Sequence, residues 1–174
     1  MTKSAIVDQL QKNHSDFIEL ISSMNENDFC KKVSDKWTPA QQAEHIHKSI
    51  HPLLLAFRLP LFIPKLLFGK ANRASRSYEE LVEKYHQKLL TGYKAGKAYI
   101  PADILFSQKN NLAHRLQKDI TILCRLVNRF NEKQLDEYIL PHPLLGKLTI
   151  REMLYFTAYH VKHHQSSVEI IVHS

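Results

Sequence analysis

Thr149-Ile-Arg-Glu-Met-Leu-Tyr-Phe-Thr-Ala-Tyr-His-Val-Lys-His-His-Gln-Ser-Ser-Val-Glu-Ile-Ile-Val172 is the segment on which the fold reading turns. It contains neither glycine nor proline. Thr149 followed by Glu152 is a capping box, in which each side chain can bond the other residue's backbone N–H at a helix start. Met153, Thr157, His160, His164, Val168 and Ile171 then recur at spacings of three and four, which is one face of a long helix. His160 and His164 therefore occupy seam positions otherwise filled mainly by apolar groups. Residues i and i+4 share a helix face, so the two imidazoles can bind one metal ion, with a third ligand from elsewhere and positions left open for chemistry. His163 lies about 100° round the helix from His164, toward the rim or solvent.

The same pattern recurs upstream. Ile6, Leu10, His14, Phe17, Ile21 and Met24 form a stripe that predicts a helix over residues 3–24. Thr38, Pro39 and Gln41 open a second helix, stapled by Trp37, through Ile46, Ile50, Leu53 and Phe57, with a kink expected at Pro52. Ser77 and Glu80 start a third helix ending near Leu90, and Gly92, Gly96 and Pro101 break the chain. A further long helix over 105–130 buries Leu112, Leu116, Ile120, Leu123, Val127 and Phe130, and Asn131–Lys147 reads as a loop. No strand or internal repeat is read. The expectation is an all-α, up-down four-helix bundle with one short extra helix, forming a single domain over residues 1–174.

Residues 53–68, Leu-Leu-Leu-Ala-Phe-Arg-Leu-Pro-Leu-Phe-Ile-Pro-Lys-Leu-Leu-Phe, are the least ordinary stretch. They are too short for a spanning helix, which needs about 20 residues, and Arg58, Pro60, Pro64 and Lys65 interrupt them. The stretch reads as the end of the second helix and a kinked apolar connection. It covers the bundle, forms a subunit contact, or lies on a membrane surface.

The formal charge is +7 and the pI about 9.4. Lysines and arginines are scattered except for a loose cluster at Lys65, Lys70, Arg73 and Arg76, and no winged-helix, zinc-finger or RNA-binding signature is present. This is a basic surface suited to anionic small molecules rather than a nucleic-acid interface. Cys30 and Cys124 form no CxxC, which argues against a disulfide framework and for a reducing cytoplasm. Both thiols read as inert and at least half-buried, since neither has activating neighbours in sequence.

Two polar rings on an inward stripe need partners, because an unpaired buried polar group is costly. A metal meets that need, as do buried hydrogen bonds. The pattern His-Val-Lys-His-His lacks the glutamate of His-Glu-x-x-His, so zincin-type peptidase chemistry loses support. Two Glu-x-x-His strings, Glu44/His47 and Glu83/His86, are set aside as di-iron motifs, because Glu44 falls about 160° from Ile46 and would face solvent. His45 and His47 lie about 100° to either side of Ile46, and helical phase does not choose between them. His14 reads as a hydrogen-bonded core residue.

Trp37-Thr-Pro-Ala-Gln-Gln-Ala-Glu-His45-Ile resembles the Trp…His segment on the second helix of the DinB-like superfamily, and residues 141–164 resemble its closing loop and last helix. The resemblance extends over nearly the whole chain, with residues 58–76 as an insertion. It implies a four-helix bundle with a three-histidine divalent metal site near one end. The family's helix-two histidine stands eight places after the tryptophan, which is His45. Carried over residue by residue, the metal ligands are His45, His160 and His164. Zinc or nickel is expected ahead of manganese or iron. Some members of that family are metal-dependent hydrolases. Others transfer low-molecular-weight thiols such as bacillithiol, mycothiol or glutathione to electrophiles. The resemblance thus implies a metal-dependent enzyme that activates a thiol or water for S-transfer or hydrolysis of a small-molecule substrate. The alternative is a non-catalytic, metal-binding, stress-related bundle. A homodimer is implied as well; no nucleic-acid partner and no stable membrane association are expected, from the missing binding signatures and the interrupted apolar stretch over 53–68.

Overall fold

A computed structural model describes all 174 residues. Four long helices build the core: α1 (Lys3–Ser23), α3 (Pro39–Arg58), α6 (Lys109–Val127) and α8 (Ile150–His173). The short helices α2 (Glu26–Phe29), α4 (Phe62–Phe68), α5 (Tyr78–Leu90) and α7 (Glu132–Glu137) fill the connections. The most extensive packing runs from α1 to α6, α6 to α3, and α1 to α8, with α3 closing against α8. The chain is the expected all-α four-helix bundle, and α1 and α3, consecutive among the long helices, stand across it from each other. α5 lies on α8, and with α2, α4 and α7 it makes four short helices where one was expected.

The caps decide where these helices begin. Thr38, Ser77 and Thr149 each accept the N3 backbone N–H while Gln41, Glu80 and Glu152 reach back to the cap's own N–H. The apolar stripes then merge into one continuous buried cluster that includes Phe17, Ile46, Phe57, Leu116 and Leu154. Asn13 donates its side-chain N–H to the Ala158 carbonyl at 2.8 Å, a buried polar tie between α1 and α8. Pro52 is accommodated within α3 rather than ending it.

Residues 131–147, expected to be loop without strands, fold instead with Leu148 and Thr149 as α7 and a hairpin. Strand β1 (Ile139–His142) pairs antiparallel with β2 (Gly146–Thr149), with Leu140 opposite Leu148 and His142 opposite Gly146. Gly146 supplies the left-handed backbone, φ +77°, at the end of the turn. The His142 Nδ1 accepts the N–H groups of Leu144 at 3.2 Å and Leu145 at 3.1 Å, closing the turn from inside. The sequence signal is weak because each strand has four residues and one contains Pro141.

The start of α8 is pinned by charge. Glu152, fully enclosed, accepts from Arg73 at 2.6 and 2.8 Å, from the Arg76 backbone N–H at 2.8 Å and from the Thr149 N–H at 2.9 Å. Lys70 pairs with Glu137. The basic cluster read from sequence is therefore largely spent on internal pairs, with Lys65 the exception. No helix is long and apolar enough to cross a membrane. α3 and α4 reach that length only together, and they meet at a bend of 111°.

Candidate metal centre

His45 enters the centre from α3, two turns past the Thr38 cap, and His160 and His164 enter from α8. All three are buried. The Nε2 atom of His160 lies 3.2 Å from the Nε2 of His45 and 3.2 Å from the Nε2 of His164. Donors about 2.1 Å from one ion, at tetrahedral or octahedral angles, stand about 3.0–3.4 Å apart, so these separations suit a shared cation.

The outer nitrogens fix the tautomers. His45 donates its Nδ1–H to the Tyr99 carbonyl at 2.8 Å. His164 donates its Nδ1–H to the Gln42 side-chain oxygen at 2.9 Å, and the Gln42 amide N–H is spent on the Trp37 carbonyl at 3.2 Å. Both Nε2 atoms are thereby left as bare lone pairs, each facing His160. One proton on His160 Nε2 can serve only one of them. A shared cation would meet that shortfall, and bonded outer nitrogens of this kind orient imidazole ligands in metal sites. Burial pushes all three imidazoles below their ordinary pKa, and neighbouring histidines push His160 and His164 further down, so the neutral, ligating form prevails.

The structure separates the two histidines that helical phase left open. His45 joins the trio, while His47 turns to α6, where its Nδ1 lies 2.8 Å from Asp119 and His51 Nε2 lies 3.2 Å from the same oxygen. By composition that second group could also hold a metal. Arg115, however, donates to His47 Nε2 at 3.3 Å, which leaves the proton of a neutral His47 on Nδ1, facing the carboxylate. The guanidinium also sets a fixed positive charge beside the group. It ties α3 to α6, although His47 Nδ1 and Asp119 Oδ2, 2.8 Å apart, are not aligned as a hydrogen bond.

Three expectations need correction. Glu44, expected in solvent, is buried because α6 packs over that side of α3 and Arg115 reaches it at 3.5 Å. Cys30 is exposed rather than half-buried, as the C-cap of the short α2. Trp37 is more than a staple, since its ring lies 4.9 Å from that of His45. Cys124 is buried, and its thiol is pushed up to about 11 by that burial, which leaves it inert at neutral pH. His14 donates to the Leu10 carbonyl and stays outside the trio. His163 is half-buried, with its ring 5.3 Å from that of His164.

Sequence reading missed Gln42 and Tyr99. Gln42 had a usable signal, since it lies three residues before His45 on the same side of α3. Tyr99 had none, because it contributes a backbone carbonyl from a short 3₁₀ turn. A cavity of about 740 Å³ opens onto the trio. Its walls are mostly apolar, with Trp37, Leu53, Tyr85 and Phe156 among them, and Asp35, Lys94 and His163 add polar groups.

No curated protein sequence matches the chain significantly. Among solved structures, YfiT from Bacillus subtilis superposes with a TM-score of 0.63 over 97% of this chain and 85% of its own, at 16% sequence identity. YfiT is described as a probable metal-dependent hydrolase with an unusual four-helix bundle topology, and at this identity the likeness is one of fold. The family model of the DinB superfamily matches residues 9–168. With the bundle, its long closing helix and nearly the full length of the chain in agreement, this protein belongs to the DinB superfamily.

Proposed function

We propose that this protein is a metal-dependent enzyme whose ligands are His45, His160 and His164, and that it activates a thiol or a water molecule for S-transfer to, or hydrolysis of, a small and largely apolar substrate. The observation that carries this reading is the convergence of three Nε2 atoms, those of His45 and His164 each 3.2 Å from that of His160, with the outer nitrogens of His45 and His164 already committed to acceptors. A divalent ion held by three neutral imidazoles supplies Lewis acidity, which draws the pKa of water or a thiol toward neutrality. Zinc and nickel are among the ions that suit an all-imidazole donor set.

The chain's own groups do the rest. The Tyr99 carbonyl and Gln42 hold two ligand rings at fixed angles. Trp37, Tyr85 and Phe156 exclude water and bind apolar substrate surface. His163, on the cavity wall beside His164, is placed to take up the nucleophile's proton, and burial keeps its imidazole neutral and able to accept it.

The test is elemental analysis of tag-free wild type beside His160→Ala, followed by turnover assays with thiol–electrophile pairs and activated esters. About one ion per chain, lost with turnover in the variant, is the expected result. An unchanged activity in a metal-free His160→Ala protein would refute the proposal. Stoichiometric metal with no turnover leaves the alternative, a metal-binding bundle without catalysis.

A further inference from the structure

The corner between α3 and α4 carries the largest run of exposed apolar side chains in the molecule. Leu55, Phe62, Leu66 and Leu67 are 63, 66, 82 and 63% exposed, and Leu59 adds to them. In α4 only Pro64 is buried. Such a patch on a folded protein marks an interaction site.

Charge tells what fits it. From His45 through Tyr78 the chain contains no aspartate or glutamate, while Lys48, Arg58, Lys65, Lys70, Arg73 and Arg76 all fall within that span. Lys70, Arg73 and Arg76 are spent on Glu137 and Glu152, and Lys48 donates to the Ile100 carbonyl. Arg58 and Lys65, both exposed and interleaved with the apolar side chains, make no ion pair. A short element presenting Phe and Leu with flanking cations is what binds the interface of an anionic bilayer. A second copy of the chain suits the face less well. A two-fold contact sets a patch against itself, which would bring the cations of both copies together with no acid from this segment between them.

We propose that the α3–α4 corner docks the protein reversibly on the surface of an anionic lipid bilayer, with Phe62, Leu66 and Leu67 entering the headgroup boundary and Arg58 and Lys65 facing lipid phosphates and carboxylates. The 111° bend between the helices and the burial of α3 in the bundle make this a surface contact, not a span. The corner is also a cavity wall, because Ala56 and Phe68 line the space that opens onto the three histidines. Docking therefore brings the cavity beside the membrane, where apolar small molecules concentrate. The docking itself does not rest on the metal reading and is measured without turnover.

The experiment is vesicle co-sedimentation of the full chain, with phosphatidylcholine alone and with phosphatidylserine at about one lipid in three, alongside sedimentation velocity without lipid. The expected result is binding to the phosphatidylserine vesicles that weakens with salt. It should fall about tenfold or more in Arg58→Glu/Lys65→Glu and in Phe62→Ser/Leu66→Ser. These positions are exposed, so both variants should keep wild-type helicity and melting temperature. No binding at low salt, or equal binding to both vesicle types, overturns the proposal. So does a wild-type dimer that Phe62→Ser/Leu66→Ser converts to monomer without any vesicle binding, since the face is then an interface between copies.

Discussion

Gln42 holds His164 by a two-ended clamp. Its side-chain oxygen accepts the His164 Nδ1 proton at 2.9 Å while its amide is anchored on the Trp37 carbonyl at 3.2 Å. Replacing it by leucine keeps the volume and removes the acceptor. Gln42→Leu should lower divalent metal affinity about 10–100-fold with little change in fold, measured by competition with a chelating dye. Wild-type affinity would show that His164 needs no orienting partner.

His160 stands between the other two rings, so its removal should separate metal binding from folding. An ion that binds only the folded chain stabilises it by about 4 kcal/mol at a thousandfold excess over Kd. Added zinc or nickel should raise the melting temperature of chelator-stripped wild type by about 8–16 °C. The same addition should leave His160→Ala within about a degree of its metal-free value. A similar rise in both proteins would place the ion elsewhere.

His163→Gln tests the proton acceptor. Metal content should stay at the wild-type level, and kcat should fall by about 10²-fold or more. Loss of metal in this variant would make His163 part of the binding site instead.

Glu152 is the carboxylate on which the start of α8 depends. Its side chain is 0% exposed. Burial alone would raise its pKa, but Arg73 and the amides of Arg76 and Thr149 together hold it below the ordinary value. That stability is present above the unfolded carboxyl pKa of about 4.3 and is lost as pH falls through the lower folded value. Glu152→Gln leaves Arg73, which can still turn to solvent, without its counter-charge and should cost about 1.5–3 kcal/mol at pH 7, read from denaturant unfolding. A loss below about 1 kcal/mol would mean the arginines find other partners.

His14 and His142 contribute to the response to mild acid alongside the buried trio. Burial lowers both to about 4 from the ordinary 6.5. The unfolded chain then takes up these protons first, so their contribution is complete above about pH 6.5 and declines toward pH 4. For the fully buried His14 the loss by pH 5 is about 2 kcal/mol. The difference in unfolding free energy between pH 7 and pH 5 should shrink by about that much in His14→Phe, and no shrinkage would place His14 in contact with solvent.

The sequence made α3, α5 and α8 legible because their starts carry chemistry, and α1 and α6 legible by their apolar stripes. Thr38, Ser77 and Thr149 each begin a helix with both capping bonds formed. The hairpin stayed hidden because Ile139–His142 and Gly146–Thr149 are too short to show alternation. For the centre, the pair His160/His164 could be read from spacing, but the third histidine could not. His45 and His47 are equivalent by phase; the family resemblance picked His45, and the physical separation comes from the neighbours, α8 on one side and Asp119 with Arg115 of α6 on the other. The burial of Glu44 has the same cause, since a helix packed on two sides has two inward faces. A single stripe does not reveal that.

The placement of Trp37 against His45 has a practical consequence, because it is the chain's one tryptophan. Intrinsic fluorescence of this protein is therefore emitted almost at the histidine trio itself. An open-shell ion such as nickel bound there should quench it strongly, whereas closed-shell zinc should mainly shift it. The molecule thus carries its own optical gauge of which ion it holds.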